Sequence, residues 1–421
     1  MATIVISFLG MGNYDEVEYT WGDSTYRTRL FPAAVAHWIR PDRLYVLLTD
    51  EARDSSNWVS LQEELKAQQI EYQEVSIPSG RSESELWEIF EQLVGLPQED
   101  DEIILDITHG FRSLPALALL AMVYLRIVKQ VNLLHILYGA YEARQPNSDL
   151  VPTFDLTPFV TLLEWASAAD QFLNTGNSTV LGKLFTERHN ALWRRREGQP
   201  KALQRLGNSL TTLSEIIASL RAREVPTAAH NLVSALEEAE KEKEVRTYLP
   251  PAVPILENVR QAYEPFAVGV GADDLEKPDD IRSHLRVQWE LLREYIRWKQ
   301  WVQAVTLARE WVVTLACWRC GSKSFLDVGV RERIANELES SVRKFSKQSE
   351  ADEKPKQDVD LTRLDEAEKK ELMDAWARIG QLRNDIAHCG MRKKQRSARD
   401  VIEQAENLAS LLEPLARQIQ D

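Results

Sequence analysis

Three residues suited to phosphate chemistry lie close together in Gln381-Leu382-Arg383-Asn384-Asp385-Ile386-Ala387-His388-Cys389-Gly390. The 2′-hydroxyl of RNA can attack its own neighbouring phosphate without a metal. The reaction needs a general base, a group that stabilises the developing phosphorane charge, and help for the leaving oxygen. His388 can move protons near neutral pH. Arg383 can hold the charged phosphate, and Asn384 can orient it by hydrogen bonding. Five helical residues turn through about 500°, so positions 383 and 388 point roughly 140° apart. One helix therefore does not aim both at one phosphate, whereas two copies facing each other across a two-fold axis do. An Arg and a His at this spacing recur often by chance, so local charge matters. Arg383, Arg392, Lys393, Lys394, Arg396 and Arg399 stand against the single acid Asp385 in this stretch. That basic run is the footprint expected beside an RNA site.

A second constellation is Asp106-Ile107-Thr108-His109-Gly110-Phe111-Arg112-Ser113-Leu114-Pro115. An apolar run ends at Thr108, and Gly110 lets the backbone turn sharply and approach a ligand. Ser113 is placed to cap a following helix that has Pro115 in its first turn. A helix N-terminus offers free amides and partial positive charge, and Arg112 adds a forked cation, so the segment reads as an anion site. The plainer reading is a tight turn with a solvated Arg112. His109 either touches the ligand or is a hydrogen-bonded turn histidine. Gly10-Met11-Gly12-Asn13 and Thr49-Asp50 follow two other apolar runs, at strand ends of the kind where such sheets bind ligands. The first of these loops reads Gly10-x-Gly12-x-x-Asp15, without the third glycine of a dinucleotide fingerprint. No G-x-x-x-x-G-K-S/T phosphate loop occurs either, so an NAD enzyme and a P-loop NTPase are disfavoured.

The elements that must position these residues change character along the chain. Over the first 157 residues, apolar β-branched runs (Thr3–Leu9, Leu44–Thr49, Tyr72–Ile77, Ile103–Thr108, Leu133–Tyr138) alternate with helical stretches (Phe31–Arg40, Trp58–Gln69, Ser84–Val94, Ser113–Lys129). This predicts an α/β, Rossmann-like, mostly parallel sheet covered on both faces, with ligands beyond the carboxyl ends of its strands. Glu16–Trp21 and Tyr26–Arg29 around Gly22-Asp23 predict an inserted hairpin. From Pro158 onward the pattern is all α, with a helical region over 158–421 and a nuclease core over about 285–421. Leu291, Tyr295, Trp298, Val302, Val305, Val312 and Leu315 predict one long amphipathic helix. Breaks are expected at Gly269–Asp280 and Lys347–Asp360. Arg194-Arg195-Arg196 is either a solvated patch or an RNA contact.

Composition narrows the partners. The 421 residues carry a formal charge of −14, so the chain is no general nucleic-acid coater and basic residues must act locally. Three cysteines, Cys317, Cys320 and Cys389, fit a reducing cytosol, and Cys317-x-x-Cys320 lacks the second pair that zinc requires. No metal site or cofactor is expected. The apolar run Leu114–Leu125 is too short for a bilayer, and no signal peptide is apparent, so a soluble cytoplasmic protein without membrane partners is expected. No helix-turn-helix or basic major-groove helix points to DNA.

With these residues in place, the chain resembles the CRISPR-associated CARF–HEPN ribonucleases of type III systems. CARF names an α/β sensor of cyclic oligoadenylates, and HEPN a helical nuclease domain. The resemblance rests on FLGMGNY, YVLLTDEA, IPSGRSESELWEIF, DITHGFRSLP and YGAYEA in the first half. In the second half it rests on RNDIAH and on the Trp-rich stretch around Trp298–Trp311. The segment from about Thr175 to Arg286 matches no motif of that family. The resemblance implies a homodimer, or a higher oligomer of dimers, with a cyclic oligoadenylate bound across the two-fold axis as allosteric activator. Thr108, Gly110, Arg112 and Ser113 would contact the ligand, together with Gly10, Asn13, Thr49 and His109. Arg383, Asn384 and His388 would cut single-stranded RNA without metal, leaving a 2′,3′-cyclic phosphate. The alternative it leaves is a sensor or ring nuclease whose helical domain serves dimerisation or RNA binding without RNA cleavage.

Overall fold

The computed structural model describes residues 2–110, 113–146, 148–194, 201–242, 245, 252–268, 278–322, 325–347, 364–391, 393 and 395–419. It divides into two compact units, residues 1–164 and 165–421.

The first unit is built on an eight-stranded sheet. Its strands are β1 Thr3–Phe8, β2 Val17–Trp21, β3 Ser24–Thr28, β4 Arg43–Leu48, β5 Tyr72–Ser76, β6 Glu102–Asp106, β7 Asn132–Gly139 and β8 Leu150–Asp155, in the spatial order 3-2-8-7-6-1-4-5. The five strands β7-β6-β1-β4-β5 are parallel. Their period-two alternation splits the core into two faces. Ile4, Ile6 and Phe8 of β1 pack with α4 (Glu83–Gly95) and α5 (Leu114–Val128). Val5, with Leu44, Val46 and Leu48 of β4, packs with α1 (Phe31–Ile39) and α3 (Ser56–Gln68). Between β4 and α3 lies the short α2 (Asp50–Arg53). After the β2–β3 hairpin the chain adds β4 and β5 on one side of β1 and then returns to β6 on the other, so the strand order reverses at the β1/β6 boundary. Open α/β sheets bind ligands at that switch point.

The expected Rossmann-like sheet and the Gly22-Asp23 hairpin are both present, with two corrections. The strand β8 was not foreseen, because Leu150-Val151-Pro152-Thr153-Phe154-Asp155 contains a proline that reads as a strand breaker. It nevertheless pairs antiparallel with β7 and parallel with β2. β6 ends at Asp106 rather than Thr108, which leaves Thr108 and His109 in the loop beyond the strand.

From Thr157 onward every described element is helical: α6 Thr157–Thr175, α7 Thr179–Arg194, α8 Lys201–Ala218, α9 Val225–Lys241, α10 Ala252–Tyr263, α11 Pro278–Arg297, α12 Trp301–Arg319, α13 Val328–Lys347, α14 Glu366–Ala387, α15 Ala398–Glu406 and α16 Leu408–Arg417. One continuous core joins Trp289, Tyr295 and Trp311 with the Leu and Ala faces of α8, α9 and α14. Two of its large polar rings are satisfied: Trp311 Nε1 donates to Leu285 O at 3.0 Å and Tyr295 OH to Ile217 O at 2.6 Å. The single long helix expected across Leu291–Leu315 is instead two. Lys299 takes φ +58°, and the Gln300 N–H closes back on Tyr295 O, so the chain turns between α11 and α12. Apart from Pro278–Asp280 and Lys347, the two expected breaks lie outside the described residues, as do Arg195 and Arg196. Among the described residues no helix is long and apolar enough to cross a membrane.

Candidate functional site

Three loops meet at the switch point of the sheet. The first, Gly10–Tyr14 after β1, is held from α3 by Asn57, whose Nδ2 donates to Gly10 O at 3.1 Å and to Gly12 O at 3.0 Å. The Tyr14 ring folds back over both glycines. A Cβ on Gly10 would lie 2.6 Å from the Tyr14 hydroxyl, so a larger residue there would displace the Tyr14 ring. Tyr14 then packs on the His109 ring with centroids 4.0 Å apart, which joins the first loop to the loop after β6.

The site residues named from sequence divide between two cavities that share His109. One, of about 140 Å³, is lined by Gly10, Met11, Thr49, Glu51, Ser79, Arg81 and His109 over an apolar floor that includes Phe8 and Leu47. The other, of about 200 Å³, is lined by Asn13, Tyr14, Asp15, Thr108, His109, Tyr138, Tyr141 and Glu142. The first and second loops therefore do face one cavity, which the sequence could not establish. Gly110 and Ser113 line neither, and Arg112 lies outside the described residues. Ser113 is the N-cap of α5 by position, but its side chain makes no cap hydrogen bond.

Each polar group has an identifiable task. Thr49 Oγ1 caps α2 by accepting from Ala52 N at 3.2 Å. Thr108 Oγ1 accepts from Gly139 N at 2.8 Å and ties the β6 loop to β7. Arg81 pairs with Glu51 at 3.2 Å on the rim, supplying the first cavity with a cation. That arginine, with Ser79, sits in the IPSGRS stretch but was not singled out by residue. Tyr141 and Tyr138, from the YGAYEA stretch, hydrogen-bond Asp15 and Glu142 respectively. They were missed because nothing in the local pattern shows that β7 brings them to the first loop.

Two buried titratable groups hold the floor. Asp106, the last residue of β6, is fully buried opposite Ser7 of β1. Burial pushes its carboxyl up to about 7, partly countered by the backbone N–H of Thr108, which donates to Oδ1 at 2.8 Å. His109 is also buried, and burial pushes its imidazole down to about 4. Its Nε2 accepts the backbone N–H of Phe31 at 3.2 Å. The ring is thus neutral and fills the role of a hydrogen-bonded turn histidine while still walling both cavities.

In the helical unit, Arg383, Asn384 and His388 are all exposed on the last turns of α14. Arg383 Nη1 lies 3.5 Å from Asn384 Oδ1. The helix begins with a capping box between Asp365 and Glu368 and ends at Ala387, with His388 as C-cap. The expected glycine stop is shifted by one residue: Cys389 itself takes φ +50°, its N–H bonding Ile386 O, and Gly390 follows at φ +73°. One arginine of the basic run is not free for phosphate. Arg396 turns inward, with Nε 3.3 Å from Asp385 Oδ2, Nη2 on Gln381 at 2.9 Å and Nη1 on Gln404 at 2.7 Å. Arg392 and Lys394 lie outside the described residues. Cys317 and Cys320 are buried in the helical core and form no disulfide, and burial pushes Cys317 up to about 11.

A Rossmann-like sheet whose switch-point loops form two small cavities, followed by a helical region, defines an α/β domain of ligand-binding architecture joined in sequence to a helical one. Comparison with known proteins gives this class its family. Residues 4–142 match the CARF domain of the family CRISPR system endoribonuclease Csx1. Residues 161–265 match the second domain of the family CRISPR-associated protein MJ1674, which accounts for much of the stretch that carried no motif. The chain is also 35% identical over 111 residues to the CRISPR-associated protein MJ1674 of Methanocaldococcus jannaschii, a stretch covering 26% of this chain and 17% of that protein. The chain thus matches about a sixth of that relative's length. It is a CRISPR-associated CARF protein.

Proposed function

We propose that this protein is a cyclic-oligoadenylate-activated, metal-independent endoribonuclease of type III CRISPR defence, working in the cytoplasm. The observation that carries the catalytic part is the exposed cluster of Arg383, Asn384 and His388 at one helix end, in a chain whose other unit is a CARF domain. His388 would move the proton of the attacking 2′-hydroxyl, Arg383 would hold the phosphorane charge and Asn384 would orient the phosphate. The product end would be a 2′,3′-cyclic phosphate.

The angular separation of Arg383 and His388 on α14 supports a site shared by two copies. A dimer also finds a surface to use. On α4 and α5 of the first unit, Trp87, Leu120 and Ile127 are 61%, 59% and 75% exposed, and Tyr124 sits among them against Phe90. An apolar face of this kind is costly to leave in water and suits a second copy of the chain. A two-fold cyclic oligoadenylate would then meet both copies of the switch-point loops, through Gly10, Asn13, Thr49, Thr108, His109, Gly110, Arg112 and Ser113, with Arg81 beside them. Coupling requires that the ring bind one dimer arrangement more tightly than the other.

The deciding experiment incubates the purified protein and its His388→Ala variant with fluorescent single-stranded RNA in EDTA, adding cyclic tetra-adenylate or cyclic hexa-adenylate. Cleavage that depends on one ring and on His388 is the expected result. Ring binding without any RNA cleavage would leave a sensor without nuclease activity, and ring shortening that survives His388→Ala would make the ring the substrate.

A further inference from the structure

Beside the Arg383–His388 segment, α14, α15 and α16 enclose a cavity of about 570 Å³ that no part of the reaction above uses. Leu382, Leu408 and Leu411 form its apolar floor, and Arg378, Gln404, Asn407 and Ser410 its polar rim. Its volume falls within the rough 300–1,000 Å³ range of small-ligand sites. None of its lining residues is acidic, in a chain with 65 acids against 51 bases.

One side chain bridges the cavity rim and the residue between Asn384 and Ile386 in the candidate catalytic segment. Arg396 bonds Gln404, which lines the cavity, at 2.7 Å, and Asp385, which lies between Asn384 and His388 in sequence, at 3.3 Å. The same guanidinium also bonds Gln381 at 2.9 Å. Asp385 has only 15% of its side chain exposed, so the pair is largely shielded from water. Gln404 and Asp385 thus share one guanidinium as partner.

We propose that this cavity, leucine-floored and amide-rimmed, is a base-recognition subsite that takes one unstacked nucleobase of the single-stranded RNA substrate, adjacent to the cleaved phosphate. The proposal rests on the ribonuclease reading above and adds to it a site that determines sequence preference. The chemistry fits a base closely. Single-stranded RNA is read by splaying bases into pockets, covering their faces with apolar or planar groups and hydrogen-bonding their edges. The three leucines cover a face, and the planar guanidinium of Arg378 can stack on the base or hold its phosphate. Asn407 already spends one N–H on Glu403 O at 2.8 Å, which fixes its amide and leaves its oxygen as an acceptor. Gln404 accepts from Arg396 through Oε1, which fixes its flip and leaves its NH₂ as a donor. The rim thus offers a fixed acceptor and a fixed donor, the complement needed to tell one base edge from another. Arg396 is a positioning residue in this scheme, holding Gln404 and Asp385 in register.

The test separates this subsite from the nuclease reading by measuring binding without cleavage. In the ring-activated His388→Ala protein, fluorescence anisotropy gives the affinity for short single-stranded RNAs of differing sequence. Asn407→Leu, which removes the acceptor at similar volume, and Arg378→Gln should each weaken the preferred RNA about tenfold and compress the spread among sequences. In protein with His388 intact, the same changes should raise KM and flatten the base preference at the cut site. Arg396→Met should instead lower kcat, because it releases Asp385. Melting temperature and ring affinity of each variant report on folding. Unchanged RNA affinity and unchanged sequence preference in both Asn407→Leu and Arg378→Gln would overturn the subsite. Weakened binding in a protein that cuts no RNA would keep the subsite and remove the nuclease reading.

Discussion

The imidazole Nε2 of His109 accepts the backbone N–H of Phe31 at 3.2 Å. Phe31 is the first residue of α1, so a ring from the loop after β6 caps the N-terminus of that helix. The acceptor role fixes the neutral tautomer, with the proton on Nδ1. The same ring packs on Tyr14 and separates the two cavities. His109 thus ties its own loop, the Gly10–Tyr14 loop and the start of α1 together without carrying charge.

That lock has a pH signature. The His109 imidazole is pushed down to about 4 by burial, against an ordinary value of 6.5. The unfolded chain therefore takes up a proton below about pH 6.5 that the folded chain resists until about pH 4. Stability contributed by neutral His109 is complete above pH 6.5 and is lost as pH falls through that window, by roughly 3 kcal/mol in all. His109→Gln keeps an acceptor for Phe31 N–H but does not titrate. Thermal melts of the first unit between pH 4 and 7.5 should show a shallower acid-side decline in the variant. Parallel declines in both proteins would contradict this assignment.

Asp106 works in the opposite sense. Its carboxyl is pushed up to about 7 from 3.8, so the folded chain holds a proton that the unfolded chain releases. The cost appears as pH rises above about 4 and is complete once pH passes the folded value near 7. Asp106→Asn retains the Oδ1 acceptor for Thr108 N–H and removes the titration. The variant should be more stable than the parent at pH 8, by on the order of 2–4 kcal/mol, and the gain should vanish toward pH 4. Equal melting temperatures at pH 8 would rule this out.

The architecture of the first unit was legible because parallel strands buried on both faces, such as Ile4–Phe8 and Leu44–Leu48, leave continuous apolar runs. The loops around the two cavities were legible because Gly10 and the Thr108–Gly110 turn combine small and polar residues at strand ends. What stayed hidden follows from two physical causes. Partners brought together by the sheet, such as Tyr141 with Asp15 or Asn57 with Gly10, leave no local pattern. Helix ends were also obscured, because this chain places non-glycine residues at positive φ where its helices stop. Arg40, Gln69, Gln130, Leu220, Lys299 and Cys389 all lie between +50° and +59°. At Lys299 that choice disguised two helices as one. The exposed Arg383, Asn384 and His388 do lie at a helix end, yet the inward turn of Arg396 was invisible in a run that reads as uniformly basic.

The crossing of α7 and α8 makes a packing prediction. A Cβ on Gly207 would lie 2.4 Å from Thr186 Oγ1 and 2.5 Å from Gly182 O, and one on Gly182 would lie 2.6 Å from Gly207 O. Backbone meets backbone here, so no side-chain rotation relieves the contact. In the interior of a helix Gly→Ala ordinarily stabilises by roughly 0.5–1 kcal/mol. At Gly207 overpacking should reverse the sign, with Gly207→Ala costing about 1–3 kcal/mol. Gly380, on α14, has nothing within 4 Å of a built Cβ, so Gly380→Ala should show the ordinary gain. Chemical denaturation of the two variants side by side reads the contrast, and a gain in both would show that α7 and α8 can separate without penalty.

Cys389 supports the last prediction, because its strained backbone directly follows His388. The Gly390 N–H bonds Asp385 O and the Cys389 N–H bonds Ile386 O, closing the end of α14 with Cys389 left-handed at φ +50°. That conformation costs an ordinary residue about 1 kcal/mol and glycine little. Cys389→Gly should therefore stabilise the α14 terminus by up to roughly 1 kcal/mol, while Cys389→Val, β-branched and stiff, should destabilise it by more than that. The side chain itself is exposed, so neither change disturbs the core. Amide hydrogen exchange at residues 383–390 measures the effect directly: slower exchange is expected in Cys389→Gly and faster exchange in Cys389→Val. If presentation of His388 depends on this closure, ring-activated RNA cleavage should fall in the valine variant and persist in the glycine one. Cleavage that is equal in both would show that the helix stop serves stability alone.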